Sequence, residues 1–340
     1  MNHLRFHSPM KKLINQPTHY VDEMLAGLLL ANPSLKLDGG SQRVIRRANA
    51  VRSGKVGIAS GGGSGHLPLF TGYVGDGLLD TCSIGNVFEG PNVESCEDAI
   101  RLAHGGAGVL CLYGNYGGDR MNFDMACEFL EAEGIATRTV LGTDDIASAA
   151  PDEAHKRRGV AGILYAYKAA GALAESGASL EEVARVAQKA VDATRTIGVA
   201  LSPCRVPTAN TPNFAIAPDE IEMGMGIHGE PGIWRAKLKT ADAIADEMLE
   251  RLLADRPIAS GSRVSVLVNG LGATPLEELF ILYRRTHQIL SERGITIVQP
   301  LVGNYVTSME MAGASISLHL LDAELEQLLL APASCPFWKV

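Results

Sequence analysis

"GVLCLYGNYGGDRMNFDMACEFLEAEGIATRTVL", residues 108–141, decides the fold. Its opening, Val109–Tyr113, is a short continuous apolar run bounded by glycines, the pattern of a strand buried on both faces. Residues 120–134 then read as a helix that stops at Gly134, the residue type that most often closes one. "IATRTVL" is strand-like again. Strand, helix, strand makes a βαβ unit, and such units build parallel sheets. Upstream, "KVGIAS" (55–60) is another apolar run halting at glycines. Downstream, residues 159–176 and 180–194 are helix candidates. In the second, Val183, Val186, Ala187, Ala190 and Val191 share one face, and Ser179 with Glu182 forms a capping box at its start. After about residue 195 the rhythm restarts. "TIGVAL", the stretch leading to Ile227, "RVSVLVNGLG", "ITIVQPLVG" and "ASISLHLL" read as strands. Residues 240–255 and "PLEELFILYRRTHQILSERG" read as helices. The expectation is an α/β fold of two packed α/β domains with largely parallel sheets, residues 10–190 and 191–340.

Composition narrows the function classes. The chain has 340 residues, 46% apolar and 20% charged, enough to build a core and too apolar for disorder. A net charge of −8 argues against nucleic acid as the main ligand, because a phosphate backbone needs a basic face. None of the six cysteines forms a C-x-x-C pair, so they read as reduced thiols rather than a disulfide framework or a zinc site. No run of 18 apolar residues occurs, and "MNHLRFHSPM" has no apolar signal core. A cytoplasmic protein with neither membrane span nor secretory signal is expected, and the residues before Met10 read as a loose extension.

Three glycine-rich segments could carry chemistry. "GMGIHGEPGI" (224–233) spells G-x-G-x-x-G, but Gly229 is followed by turn residues and the next helix begins near Thr240. A dinucleotide fingerprint needs a helix opening from its glycines, so a nicotinamide-dependent oxidoreductase is the weaker reading. No P-loop occurs either. "SGGGSGHLP" (60–68) follows a buried strand and ends at His66. It is either a plain glycine turn or a loop whose amides approach a ligand at a strand's carboxyl end. "YGNYGGDRMNFD" (113–124) follows the next strand, and Asp119 lies just before the helix, as a cap or as a carboxylate base. Each segment sets a His or Asp among glycines near a strand end, so His66, Asp119 and His228 could converge on a small polar ligand.

Together, "SGGGSGH", "GNYGGDRMNF", "GIHGEPG" and "NGLGATPLEELF", with "KKLINQP", "ANPSLKL" and "RRGVAG", resemble the ketone-binding K subunit of dihydroxyacetone kinase. The resemblance runs from about Met10 almost to the C-terminus. It implies that His228 bonds covalently to a ketose carbonyl carbon as a hemiaminal, which excludes glycerol and other polyols. It also implies that His66 hydrogen-bonds and polarises the substrate, and that Asp119 takes the proton from the hydroxyl that attacks phosphorus. Gly63, Ser64, Gly65, Gly114 and Asn115 are the substrate-binding candidates. Two positions depart from the family pattern. Leu67 stands where a glutamate is common, and Gly114 where a lysine is common. The absent lysine is expected to open volume for a larger ketose such as erythrulose.

No metal or cofactor is expected on this chain itself. The resemblance implies that ATP–Mg or ADP–Mg is carried by a separate helical nucleotide-binding L-type partner subunit, in some systems linked to a phosphotransferase-system protein, and no all-helical domain or aspartate cluster of that kind is expected on this chain. A homodimer is the expected assembly. A ketose-sensing regulator is the non-enzymatic alternative, and it could dispense with Asp119.

Overall fold

The computed structural model describes residues 11–340. The reading of the residues before Met10 as an extension lies outside them. The first sheet contains β1 (Leu35–Asp38), β2 (Val44–Arg47), β3 (Gly57–Ser64), β4 (Thr81–Val87), β5 (Val109–Gly114) and β6 (Thr137–Gly142). Their order is β1-β2-β4-β3-β5-β6. β4, β3, β5 and β6 run parallel, and β1 and β2 complete one side antiparallel. Both faces of β5 are buried, as its unbroken apolar run requires. Val109, Cys111 and Tyr113 pack with α2 (Val93–Ala103) and α3 (Gly117–Ala132). Leu110 and Leu112 pack into the core shared with α4 (Ile163–Glu175) and α5 (Leu180–Asp192). The Ser179 hydroxyl caps α5 by accepting the Glu182 N–H at 3.3 Å. α1 (Tyr20–Ala31) precedes the sheet.

The second sheet corrects the expectation of largely parallel sheets. It contains β7 (Thr194–Ala200), β8 (Glu220–Met223), β9 (Trp234–Lys237), β10 (Arg263–Gly270), β11 (Thr296–Ile297), β12 (Leu301–Gly303) and β13 (Gly313–Leu321). β10, β13, β7, β8 and β9 are joined antiparallel in that order, and β10 pairs parallel with the short β11 and β12. The sequence misleads because β10 and β13 are buried along nearly their whole length. One face packs on α6 (Ala241–Asp255) and α7 (Leu276–Glu292). The other meets α4, where the Tyr165 ring stacks on His319 of β13 and its hydroxyl lies 3.0 Å from Ser265 Oγ of β10. A strand covered on both sides reads as a continuous apolar run whatever its direction. α4 is buried around most of its circumference, as a helix wedged between two sheets must be. α8 (Ala323–Leu330) closes the same layer, its Leu328 carbonyl accepting from Lys168 of α4 at 2.6 Å.

Two further differences bear on the site. "SGGGS" is not a loop: β3 continues through Ser64. Added Cβ atoms at Gly61 and Gly62 would lie 2.7 Å from the Ser83 carbonyl and 2.1 Å from the Phe70 ring. These glycines serve close packing inside a strand, one of the few uses a strand has for glycine. Asp119 does not precede α3. It is the helix's third residue, and Tyr116 holds the cap position without a side-chain cap bond.

Candidate active site

The parallel strands of the first sheet deliver their carboxyl ends to one place, where ligands sit in open α/β sheets. His66 follows β3, Phe88 follows β4, Tyr116 and Asp119 follow β5, and Asp145 and Arg158 come after β6. The second sheet adds two loops. One follows β8 and carries His228. The other precedes β13 and carries Thr307, Ser308 and Met309.

These loops interlock. The Met309 N–H donates to the Gly65 carbonyl at 2.8 Å, and the Thr307 N–H to the His66 carbonyl at 3.3 Å. The Thr307 hydroxyl donates to the Leu67 carbonyl at 3.0 Å, and the Ser308 hydroxyl to the Ile227 carbonyl at 2.5 Å. Phe70, Phe88 and Met309 all hold left-handed backbone, at φ 69°, 63° and 54°. Non-glycine residues held there store strain that surrounding contacts must over-determine, a trait that clusters at working sites. All three lie beside the His66 segment. Phe70 and Phe88 flank the His66 ring, and an added Cβ at Gly65 would lie 3.1 Å from the Met309 sulfur.

His66 is buried and its ring stacks on Phe88 at 5.0 Å. Its Nδ1 lies 2.7 Å from the Thr307 carbonyl. A carbonyl only accepts, so Nδ1 carries the proton and Nε2 presents a lone pair. That Nε2 is buried without a partner. Burial, and behind it the neighbouring His228, pushes the imidazole down to about 3, so the ring is neutral at physiological pH. A neutral ring with this tautomer accepts hydrogen bonds and donates none from Nε2. Such a ring can hydrogen-bond and polarise a ligand by accepting from its hydroxyl.

The ring of His228 lies 4.8 Å from that of His66, 5.2 Å from Phe88 and 4.8 Å from Tyr116, edge to face in each case. Glu230 turns back, its Oε1 accepting from Nδ1 at 2.9 Å and its Oε2 accepting the His228 N–H at 3.0 Å. The glycines make this turn feasible. An added Cβ at Gly226 would lie 2.2 Å from Glu230 Oε2, and Gly229 adopts φ +89°. The space they clear is thus filled first by Glu230. Burial works against the Glu230 charge, but the His228 bond and charge and the Arg158 guanidinium outweigh it and hold the carboxyl down at about 2. Arg158, 3.8 Å from Glu230, is itself held by Asp145 at 2.8 Å and donates to the Gly224 carbonyl at 3.3 Å.

Asp119 is buried to 9% exposure and its Oδ1 has no partner. Burial raises it from 3.8 to about 6, although His228 and a backbone hydrogen bond pull the other way. A carboxylate poised near neutrality is suited to general-base work. Gly90 is pressed against it, an added Cβ there falling 2.5 Å from Oδ1.

The remaining candidates divide. Gly63 sits in a bulge, since the pairing of β3 with β4 jumps from Gly62–Ile84 to Ser64–Val87. Bulges of this kind free a backbone group beside a site. The Ser64 hydroxyl is buried and unpartnered, while its carbonyl accepts from the Phe88 N–H at 3.0 Å. Asn115 spends its amide nitrogen on the carbonyls of His155 and Arg157 at 3.1 and 2.8 Å, which fixes the segment leading to Arg158. Gly114 does not open free volume as expected. An added Cβ there would meet the Tyr116 ring at 3.1 Å, and the Tyr116 hydroxyl donates to the Gly159 carbonyl at 3.1 Å.

Sequence reasoning missed Glu230, Arg158, Phe88, Tyr116 and Thr307. For Glu230 a signal existed, a carboxylate two residues after a glycine-flanked histidine. Arg158 lies within "RRGVAG", a stretch with no chemical signal of its own. Among the described residues, no group of three or more His, Cys, Asp or Glu is arranged to hold a metal ion, and no helix is long and apolar enough to cross a membrane.

Two α/β layers thus bring an unpartnered carboxylate and two histidines together at their facing edges. The chain belongs to the Dak1 domain family, whose model matches residues 26–337. It is 44% identical over 332 residues to D-erythrulose kinase of Mycolicibacterium smegmatis, covering 97% of this chain and 57% of that one. It is equally 44% identical to the dihydroxyacetone-binding subunit of PTS-dependent dihydroxyacetone kinase 2 of Listeria innocua, covering 97% of this chain and all of that one. The chain thus spans little more than half of the first relative and the whole of the second. The crystal structure of the dihydroxyacetone kinase of C. freundii superposes with a TM-score of 0.88 at 34% identity, covering 97% of this chain and 60% of that one.

Proposed function

We propose that this chain is the ketose-binding part of a dihydroxyacetone or erythrulose kinase, holding its substrate as a hemiaminal on His228. The observation that carries the reading is the gathering of His228, the unpartnered His66 Nε2 and the unpartnered Asp119 Oδ1 at one strand-end site. Buried polar groups left unpaired cost about 1–3 kcal/mol each, so a fold keeps several together where a ligand repays them.

With Nδ1 bonded to Glu230, the His228 lone pair available to a carbonyl carbon is on Nε2. Its attack forms the C–N bond, the carbonyl π pair moves to oxygen, and a proton completes the hemiaminal hydroxyl. A polyol offers no such carbon. His66 Nε2 accepts from a hydroxyl of the bound ketose, and the bulged Gly63 and the Ser64 hydroxyl offer further polar contacts. Asp119 takes the proton of the terminal hydroxyl as that oxygen becomes the nucleophile. The phosphoryl group comes from a nucleotide with magnesium, which we place on a helical partner subunit charged by ATP or by a phosphotransferase-linked route. A binding-only sensor leaves the buried, raised Asp119 without a purpose.

Intact-mass spectrometry with dihydroxyacetone, erythrulose and glycerol tests the reading. We expect ketose adducts that retain the full ketose mass, none with glycerol and none in His228→Ala. A His228→Ala protein that still carries the adduct refutes it.

A further inference from the structure

We infer that Glu230, clamped by Arg158, is the positioning residue that fixes His228 in the Nδ1-protonated form and steadies the charge its ring acquires in the covalent step. The inference rests on the reading of His228 as the nucleophile.

The argument starts from what surrounds the ring. His66, Phe88 and Tyr116 flank His228, and among the described residues Glu230 is the one carboxylate bonded to it. Both Glu230 oxygens are engaged by His228, one by the ring and one by the main-chain N–H. Carboxylate and backbone therefore fix ring orientation and loop conformation together. A carboxylate oxygen only accepts, so Nδ1 keeps the proton and Nε2 stays free. When Nε2 bonds to carbon, the ring becomes positive until a proton leaves, and that charge then lies against the Glu230 carboxylate. This is the part a buried aspartate plays beside the histidine of a serine protease.

Arg158 makes the arrangement rigid. It belongs to the segment following β6 and is anchored by Asp145, whose Oδ1 also accepts the Ala147 N–H at 3.0 Å. From there it reaches Glu230 and the Gly224 carbonyl, both on the loop after β8. The tautomer of a histidine carried by one sheet is thus secured from the other. Gly226 is compulsory, because a side chain there would strike both Glu230 and Arg158, at 2.2 and 2.6 Å.

The test labels histidine with ¹⁵N in the full chain and reads the His228 ring nitrogens without ketose, assigned by comparison with His228→Ala. Adduct formation with dihydroxyacetone is then timed by mass spectrometry. We expect the wild type to show Nδ1–H and a bare Nε2. In Glu230→Ala and in the isosteric Glu230→Gln, Nε2 should gain proton occupancy. Adduct formation should slow at least about 10-fold, the lower bound of what orienting partners are worth to metal-bound histidines and well below the loss in a serine-protease triad. Unfolding midpoints should stay close to wild type. Variants that keep the wild-type tautomer and adduct rate overturn the inference. A wild type that forms its adduct with Nε2 protonated in the free protein also overturns it, while leaving the covalent reading intact. A wild type with Nδ1–H that forms no ketose adduct supports the positioning role and refutes the covalent reading.

Discussion

Asp119→Asn should make the protein more stable, and the gain should depend on pH. Asp119 is buried, its Oδ1 has no partner, and burial moves it from 3.8 to about 6. The folded state therefore binds this proton more tightly than the unfolded state does. Stability falls wherever the unfolded state holds fewer protons, as pH rises. Below about pH 4 the carboxyl is protonated in both states and the penalty is absent. It develops between pH 4 and 6 and is complete above 6. The gap between 3.8 and about 6, at about 1.4 kcal/mol per pH unit, amounts to about 3 kcal/mol. Asparagine keeps the shape and removes the charge. At roughly 2.1 cal/mol/K of unfolding entropy per residue, the midpoint should rise by about 4 °C at pH 8, by about a third of that at pH 4.5 and hardly at all at pH 3.5. Calorimetry of both proteins across this range is the assay. A destabilised variant, or a gain equal at all these pH values, would show that the carboxylate is not held against its preference and would remove the main support for its role as base.

The same carboxylate should set the acid limb of catalysis, with kcat/KM rising through an apparent pKa near 6 to a plateau and His66, pushed to about 3, adding no limb between pH 5 and 9. An acid limb below pH 5 would contradict this. Because Tyr116 fills the space beside Gly114, room alone does not favour a four-carbon sugar. We expect kcat/KM for erythrulose and dihydroxyacetone, measured with the partner supplied, to agree within about tenfold, the worth of one net hydrogen bond. A hundredfold preference would place a specificity element elsewhere. The expected boundary between 10–190 and 191–340 runs through one core, which packs α4 and α5 together with Leu267, Leu301 and Leu321. Each half expressed alone should lose cooperative unfolding, and a half that melts like the intact chain would refute that view.

The legible part of the fold was its local part. β5, α3 and β6 follow from apolar runs and a terminal glycine, and α5 from one face and one cap. Strand direction was not legible, because an apolar run reports burial on two faces and nothing about its neighbour. The site shows the same split. His66, Asp119 and His228 stood out because glycines surround them. Glu230 did not, because its meaning lies in a turn that brings it back two residues. Phe88 and Thr307 act through rare backbone geometry and a main-chain carbonyl, which no residue type announces. The run Gly61–Gly63 misled for a related reason. Glycine marks close approach, and here the approaching atoms include the Phe70 ring and the Ser83 carbonyl.

The proposed base and the proposed covalent anchor come from different sheets. Asp119 rides on α3 after β5, and His228 on the loop after β8. Phosphorylation of a ketose tethered to one and deprotonated by the other requires their separation to hold, since small misplacements cost large factors in rate. Two independent sets of ties hold it. On one side, Thr307 and Met309 of the second sheet's loop bond to His66 and Gly65. On the other, Arg158 runs from Asp145 to Glu230 and Gly224. These ties join main chain or partly buried charge, so they resist the side-chain mobility that loosens fully exposed contacts. The residues proposed to perform chemistry are few, and the glycines, strained backbone and partly buried charge around them tie the two sheets together.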